Sequence, residues 1–172
     1  MVSDPKSPVL VAVDTNFLLD LAKEKEDSLD VLQLIRKRAS KPKMGILPTV
    51  AQEIAWMTVH SERIAVRELS LKVGQSAIPI WHFDFLEMTP VQHGIAEQIA
   101  QRLRHVGLLP SEEANDALIV AESAILGCQL LMTRDEHLRG MDFPRLAFEL
   151  QRFDVNVPVI TTPKEVIKRF FR

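Results

Sequence analysis

The chain has 172 residues, of which 47% are hydrophobic and 26% are charged, and its formal net charge is −2. These values are ordinary for a globular protein and predict a single domain, residues 1–172, with a substantial core. The net charge provides no global attraction to nucleic acid or to an anionic membrane, although metal-binding carboxylates would mask basic residues in the sum. The single cysteine, Cys128, excludes an intramolecular disulfide and a thiolate metal site.

The first residues and the hydropathy pattern bear on location. No uninterrupted apolar segment is long enough to cross a bilayer. The early apolar stretch contains Asp14 and lacks a strongly basic leader, so we expect no signal peptide, no membrane partner and a cytoplasmic location. Residues 1–8 are polar with two prolines, and we expect them to form a loose N-terminal arm.

The segment that organises the chain is residues 9–21. Residues 9–13 are continuously apolar, which predicts a short strand buried on both faces. Asp14, Thr15 and Asn16 follow, and a second apolar segment then continues at helical spacing. An acid at the carboxyl end of a strand lies at the edge where α/β sheets bind ligands. The alternative interpretation is that Asp14 or Thr15 caps the helix.

The remaining elements alternate between helices and strands. Helices are predicted over residues 17–22, 28–40, 48–60, 61–73, 89–105, 111–127, 144–153 and from 163 to the C terminus, and strands over 44–47, 129–133 and 157–161. Residues 77–85 are β-like but contain Pro79, so we expect an edge strand or an extended loop. The alternation predicts an α/β fold of three layers, α/β/α, around a mostly parallel sheet of four to five strands.

Four acids are expected at one edge of this sheet. Asp14 and Asp135 follow predicted strands, whereas Glu53 and Asp116 lie in or near the first turns of predicted helices. Strand carboxyl ends and the amino ends of the following helices share an edge, so the four acids are expected to face one crevice. Each also has a structural interpretation: a solvated surface residue, a residue that favours the helix dipole, or a turn residue.

Four carboxylates in one crevice repel one another and need compensation. A pair of like charges about 4 Å apart costs roughly 4 kcal/mol at an effective dielectric constant of 20. Ligands that are all oxygen favour Mg²⁺ or Mn²⁺ over zinc, and the five histidines show no metal-ligand spacing. We therefore expect Mg²⁺ or Mn²⁺ as the cofactor.

The sequence also resembles a known family. In chain order, the segments VAVDTNFLLDL, PTVAQEI, NDALIVAESAILGCQLLMTRDEHL and VITTPKEV resemble those of the PIN-domain nucleases. The resemblance covers nearly the whole chain and implies a PIN-like fold with Mg²⁺ or Mn²⁺ dependence. It implies that the acids Asp14, Glu53, Asp116 and Asp135 are catalytic and bind the metal, with Asn16 and Thr133 as polar supports.

The family further implies single-stranded RNA as the substrate, with DNA left open. Many members are toxin ribonucleases that pair with an antitoxin and often form homodimers. The stretch between Glu53 and Asp116 is longer than in compact toxins of the family, so we interpret residues about 61–107 as a helical insertion region. This departure weighs against a simple toxin assignment.

The function that follows is metal-assisted hydrolysis of phosphodiester bonds, as a ribonuclease. Nucleic-acid contacts are predicted for Arg134, His137, Arg102 and Arg104, whereas the basic run 36–43 is interpreted as a solvated face. Trp56 and Trp81 are expected to pack in the core or at an edge.

The alternatives to a ribonuclease are a non-catalytic PIN-like RNA-binding or scaffold module, and a phosphotransferase of the haloacid-dehalogenase or receiver type. Dehalogenase chemistry generally requires a second acid two residues after the nucleophilic aspartate, which would be position 16, where this chain has Asn.

Overall fold

The computed structural model describes residues 8–39 and 41–170. The predicted N-terminal arm lies outside this part of the chain except for its last residue, and so do the final positions of the two helices predicted over 28–40 and at the C terminus. Within the described ranges the elements are β1 (Leu10–Val13), α1 (Thr15–Ala22), α2 (Glu26–Arg38), β2 (Lys43–Ile46), α3 (Pro48–His60), α4 (Ile64–Ser76), β3 (Phe83–Phe85), α5 (Pro90–His105), α6 (Ala114–Ile125), β4 (Leu130–Met132), α7 (Glu136–Arg139), α8 (Phe143–Gln151), β5 (Val159–Thr161) and α9 (Pro163–Phe170).

The five described strands form one parallel sheet in the order β3-β2-β1-β4-β5. The three-layer α/β/α class is confirmed. The segment after Pro79 provides the edge strand β3, which pairs only with β2 among the described strands. A proline-containing segment suits an edge because one side of its backbone needs no ladder partner.

The strand register brings the carboxyl ends together. Val13 at the end of β1 pairs with Ile46 of β2 and with Met132 of β4. Met132 in turn pairs with Thr161 of β5. Residues that follow these four strands therefore emerge side by side along one edge of the sheet, next to the starts of the helices that follow.

The sheet centre and helix α6 supply the part of the core that positions the acids. Residues 11–13 of β1 are fully buried, as their continuous apolar run predicts for a central parallel strand. On α6, Ala117, Val120, Ala121 and Ala124 are all buried, and this helix packs against α5. The predicted inward face of α6 is therefore confirmed, and Asp116 lies at its border.

Some helix boundaries differ from the predictions. The helix predicted from Ser111 begins instead at Ala114, because residues 110–113 form a turn in which the Glu113 N–H donates to the Pro110 carbonyl. The Ser111 hydroxyl donates to Glu112 and caps no helix. Helix α4 continues past Gly74 to Ser76, whose carbonyl accepts the backbone N–H groups of two later residues.

None of the helices in residues 8–39 and 41–170 is both long enough and apolar enough to cross a membrane.

Candidate active site

The carboxyl edge of the sheet opens into a cleft of about 640 Å³, here called the acid cleft. It is lined by Asp14, Thr15, Asn16, Thr49, Gln52, Glu53, Trp56, Met57, Asn115, Asp116 and Asp135. All four acids predicted from the sequence therefore line one cavity. Among the residues that the structure describes, the lining contains four carboxylates and no lysine or arginine, so this part of the chain supplies no cation within the lining.

Asp14 is the buried centre of the acid cleft, with only 4% of its surface exposed. It caps α1: the Thr15 N–H donates to its Oδ1 at 2.6 Å, and the Thr133 hydroxyl donates to its Oδ2 at 2.7 Å. Burial raises the pKa of Asp14 to about 6, and the charges of Glu53 and Asp135 add to this effect. The predicted capping role is therefore confirmed, and the same side chain lines the acid cleft, where its catalytic role stays a prediction.

Glu53 is oriented by two hydrogen-bond donors from other elements. It projects from the second turn of α3, and the Thr15 hydroxyl donates to its Oε2. The Asn115 side chain donates to its Oε1 at 2.8 Å. Both carboxylate oxygens of Glu53 thus face donors on α1 and α6, which fixes the side chain at the junction of three helices.

Asp116 lies in the first turn of α6, where the helix dipole favours a negative charge. Its pKa is nevertheless raised to about 7, first by burial and then by the charges of Asp135, Asp14 and Glu113. Repulsion from neighbouring carboxylates therefore acts on Asp116 across the acid cleft. This coupling indicates that the acids share one electrostatic environment.

Asp135 follows β4 and caps the short helix α7. Its Oδ1 accepts the N–H of His137 at 2.8 Å and that of Leu138 at 3.3 Å. Its own N–H donates to the Thr133 hydroxyl at 3.0 Å. Because Thr133 contacts both Asp14 and Asp135, it links two of the acids, and its role as a support of the site stays a prediction. Asn16 lines the acid cleft from the first turn of α1.

The acid cleft has the donor chemistry of a divalent-cation site without a preformed cage. Its carboxylate, hydroxyl and amide oxygens are the ligands that Mg²⁺ and Mn²⁺ prefer. In the described part of the chain, no three acid, histidine or cysteine side chains are close enough together to hold one ion directly. Mg²⁺ is commonly bound through one or two carboxylates and several waters, so the residues present fit such an ion.

The four cations predicted to bind nucleic acid are all described, and none of them lines the acid cleft. Arg134 pairs with Asp20 and Asp27, and Arg102 pairs with Glu149. Arg104 donates to two backbone carbonyls, that of residue 100 at 3.4 Å and that of residue 111 at 3.0 Å. The His137 ring lies 3.9 Å from Glu113. Their role in nucleic-acid binding stays a prediction.

Several residues of the acid cleft were not anticipated. Trp56 was expected to pack in the core or at an edge, but it is 60% exposed in the lining of the acid cleft, whereas Trp81 is buried as expected. Thr15 and Asn115 were missed as the groups that hold Glu53. Their only sequence signal is that each is adjacent to one of the acids.

A model of the PIN domain family matches residues 11–144 of the chain. No sequence among the curated proteins matches it.

Three solved structures resemble the fold. VapBC2 from Rickettsia felis, bound to a DNA fragment from their promoter, has a TM-score of 0.63 and 13% identity, over 90% of this chain and 98% of that chain. VapBC-1 from nontypeable Haemophilus influenzae has a TM-score of 0.56 and 12% identity, over 91% and 99% of the chains. FitAcB from Neisseria gonorrhoeae has a TM-score of 0.53 and 14% identity, over 89% and 97%.

At these identities the likeness shows the fold alone. The family model covers well over half of the chain, and the four acids of the acid cleft all lie within its range. The chain therefore belongs to the PIN domain family, whose members are generally nucleases.

Proposed function

We propose that this protein is a metal-dependent endoribonuclease that hydrolyses single-stranded RNA in the acid cleft. The observation that carries the proposal is the convergence of four carboxylates in a cavity where residues 8–39 and 41–170 place no lysine or arginine in the lining. Such a charge distribution repels a phosphodiester unless a divalent cation is present. The family assignment favours this function over a dehalogenase-type or receiver-type phosphotransfer.

The mechanism assigns distinct tasks to the acids and their supports. Asp14 and Asp116 would hold Mg²⁺ or Mn²⁺, with Glu53 and Asp135 as ligands directly or through water. A bound divalent ion supplies an activated water and stabilises the charge of the leaving oxygen. The chain contributes the orientation of these acids: the Thr133 hydroxyl fixes Asp14 at 2.7 Å and lies 3.0 Å from the Asp135 N–H.

The amide side chains would complete the site. Asn115 holds Glu53 at 2.8 Å, so the direction of that carboxylate depends on the start of α6. Asn16 lines the acid cleft from α1, where its amide could orient a ligand water. These supports matter because a metal ligand that is free to rotate loses part of its affinity for the ion.

The family context also suggests partners and location. We propose that the chain is the toxin of a toxin–antitoxin pair, that it binds an antitoxin protein in the cytoplasm, and that it forms a homodimer. The similarity to the VapBC and FitAcB structures supports this context. A non-catalytic RNA-binding or scaffold module is the rival function, and the intact set of four acids favours catalysis.

The test is cleavage of a mixed panel of single-stranded RNA and DNA with Mg²⁺, Mn²⁺ or EDTA. The wild-type protein is compared with Asp116→Asn and with Asp84→Asn, a matched change at an exposed acid on the edge strand β3. We expect cleavage of RNA that requires the metal, is lost in Asp116→Asn and is retained in Asp84→Asn. Equal cleavage by all three proteins would reject the site, and cleavage of DNA alone would correct the substrate.

A further inference from the structure

We propose that a single-stranded nucleic acid crosses the carboxyl edge of the sheet between two contact points on either side of the acids. At one end the indole of Trp56 stacks on an unpaired base. At the other end a cationic pocket, formed by Arg139, Lys164 and Lys168 with Arg134 at its wall, binds backbone phosphates. The inference rests on the proposed function, because it describes how the substrate of the acid cleft is held.

Trp56 has the position of a stacking platform. It lies on α3 three residues after Glu53, lines the acid cleft and is 60% exposed. The ring of His60 lies 5.5 Å from the indole at an interplanar angle of 37°, which restricts the orientations open to the indole. A single exposed apolar side chain is normal on a protein surface. An exposed indole in the lining of an acid cavity is different, because aromatic stacking holds a base without requiring a charge nearby.

The cationic pocket is a second cavity, of about 360 Å³, at the ends of β4 and β5. It is lined by Arg134, Arg139, Thr162, Lys164, Glu165 and Lys168. Four cations therefore face one acid, the opposite of the charge distribution in the acid cleft. The two cavities are adjacent along the chain, since Arg134 immediately precedes Asp135.

The two lysines of the cationic pocket are available to bind a phosphate, whereas the two arginines are paired with acids. Arg134 is paired with two aspartates, and Arg139 lies 3.1 Å from Glu165. Glu165 also accepts the Thr162 N–H at 3.1 Å, which occupies it in the capping of α9. Lys164 and Lys168 are exposed, and neither lies within ion-pair distance of another described residue, although the charge of Lys164 also acts on Asp27. Their charges can therefore be neutralised by an external anion.

The sheet order fixes the sequence of contacts along this edge. Helix α3 follows β2, Asp14 follows β1, Asp135 follows β4, and the cationic pocket lies beyond, at β4 and β5. Neighbouring strands are about 4.8 Å apart, so the ends of β2 and β5 are roughly 14 Å apart. Trp56 lies a further ~12 Å along α3, at about 1.5 Å per residue from Pro48. A strand that joins the two contacts therefore covers at least about four nucleotides at a rise of about 3.4 Å each. The scissile phosphate would then lie over the acids, between the two ends.

The stacking end is tested by binding in an Asp116→Asn background with Mg²⁺, so that cleavage does not consume the probe. The probes are a fluorescently labelled ten-nucleotide single-stranded RNA of mixed sequence and an abasic strand of the same length. We expect the abasic strand to bind roughly 5- to 150-fold more weakly, which is the range given by the loss of one stacked base. Trp56→Leu should weaken binding of the RNA by a similar factor, and Trp56→Phe should restore most of it.

The two tryptophans provide an internal control. RNA should quench the fluorescence of exposed Trp56, whereas Trp81, which is 7% exposed, should provide the unquenched remainder. Val59→Ala, a change at an exposed residue of the same helix that does not line the acid cleft, should leave affinity unchanged. Equal affinity of the RNA and the abasic strand, or an unchanged affinity of Trp56→Leu, would overturn the stacking contact.

The phosphate end is tested by the salt dependence of the same binding. Each phosphate contact to a single strand contributes about 0.7 to the slope of log K against log salt. The double change Lys164→Gln and Lys168→Gln should therefore reduce the slope by about 1.4. The matched control is Lys37→Gln with Arg38→Gln, two exposed cations at the end of α2. An unchanged slope in the Lys164 and Lys168 variant would overturn the phosphate contact.

Cleavage and binding separate this inference from the proposed function. If the wild-type protein binds with both signatures but cuts no nucleic acid, the nuclease function fails and the track stands. If it cuts RNA with Mg²⁺ while the Trp56 and lysine variants bind and cut normally, the track fails and the nuclease stands. In steady-state cleavage, Trp56→Leu should raise KM with little change in kcat.

Discussion

Two groups of carboxylates at the same edge of the sheet differ in what neutralises them. In the acid cleft, four carboxylates have no basic side chain in their lining. In the neighbouring aspartate–arginine cluster (Asp20, Asp27, Lys25 and Arg134), Lys25 lies 2.7 Å from Asp20, and Arg134 reaches both aspartates. The Arg134 Nε atom lies 2.5 Å from an Asp20 oxygen, although its orientation is outside hydrogen-bond geometry.

The pKa values follow this difference. Burial and neighbouring carboxylates raise the pKa of Asp14 to about 6 and that of Asp116 to about 7. Partial burial also acts to raise the pKa of Asp27, but the hydrogen bond and charge of Arg134, together with the Ser28 N–H and the charge of Lys164, outweigh it, and the pKa is lowered. The carboxylates of the cluster are thus neutralised by cations of the chain itself, whereas those of the acid cleft are not. This difference is why we propose an external cation, and a chemical role, for the acid cleft alone.

The largest expected effect is the loss of cleavage in Asp14→Asn. Changes at residues that only support a metal ligand cost about 10- to 100-fold, so we expect the loss of this buried ligand to reduce kcat/KM by more than about 100-fold. Stability of the metal-free protein at pH 8 should change by less than about 1 kcal/mol, because a lost acceptor is offset by the removal of an uncompensated charge. Single-turnover cleavage and urea unfolding measure the two effects. Wild-type cleavage by Asp14→Asn would reject the mechanism.

The second prediction concerns pH. A carboxyl group whose pKa is raised in the folded state stabilises that state at low pH, and this contribution is lost as pH rises through the folded-state value. For Asp14, a rise from 3.8 to about 6 corresponds to roughly 3 kcal/mol. In EDTA we therefore expect the free energy of unfolding to fall from about pH 4, near the unfolded-state pKa, up to about pH 6 for Asp14 and about pH 7 for Asp116.

Mg²⁺ should oppose that fall, since a ligand of the folded state stabilises it, most strongly where the carboxylates are ionised. Urea unfolding at several pH values, with and without Mg²⁺, measures this. The double variant Asp14→Asn and Asp116→Asn is the control and should show a flatter pH profile. A metal-free protein that becomes more stable from about pH 4 to about pH 7 would contradict the prediction.

The sequence predicted those features that depend on local pattern and on the geometry of parallel sheets. Helix α3 has the predicted bounds, because Pro48 suits the first turn and the apolar periodicity continues to His60. The convergence of the acids followed from the shared edge of strand ends and helix starts. The interpretation of residues 61–107, which form α4, β3 and α5, as an insertion stays a prediction.

What could not be predicted depends on contacts between distant parts of the chain. Arg134 reaches Asp27 across 107 positions, and the Asn115 side chain reaches Glu53 across 62. No local pattern distinguishes an arginine that will meet two aspartates from one that will face solvent. The exposure of Trp56, by contrast, could have been predicted. It lies two residues after Ile54 and one before Met57, so it does not share their inward face of α3.

The third prediction concerns a substitution that disrupts the aspartate–arginine cluster. Asp20→Asn removes the buried carboxylate that pairs with Lys25 and Arg134. We expect this change to destabilise the protein by about 2 kcal/mol. The loss is smaller than for a fully buried ion pair, because Arg134 keeps its pairing with Asp27. Asp30→Asn, at an exposed position on α2, is the control and should change stability by less than about 0.5 kcal/mol. If Asp20→Asn were as mild as Asp14→Asn, the contrast between the two regions would not hold.

The smallest expected effect concerns a third kind of buried acid, Glu122. It forms no ion pair with a described lysine or arginine, and it does not line the acid cleft. Its two oxygens accept the Thr49 N–H at 3.1 Å and the Thr49 hydroxyl at 2.7 Å, so α6 caps the start of α3. Burial raises the pKa of Glu122 despite these bonds. Through this contact, the helix that carries Asp116 is tied to the helix that carries Glu53.

Thr49→Val removes the hydroxyl donor and leaves one oxygen of a buried carboxylate without its partner, so we expect a loss of about 1–2 kcal/mol in the free energy of unfolding. Cleavage should fall only a few-fold, because Glu53 and Asp116 shift relative to each other but remain present. Thr49→Ser keeps the hydroxyl and should restore both properties. Equal stability of the Val and Ser variants would mean that the backbone N–H of residue 49 suffices to hold Glu122. The two halves of the acid cleft would then be aligned by core packing alone.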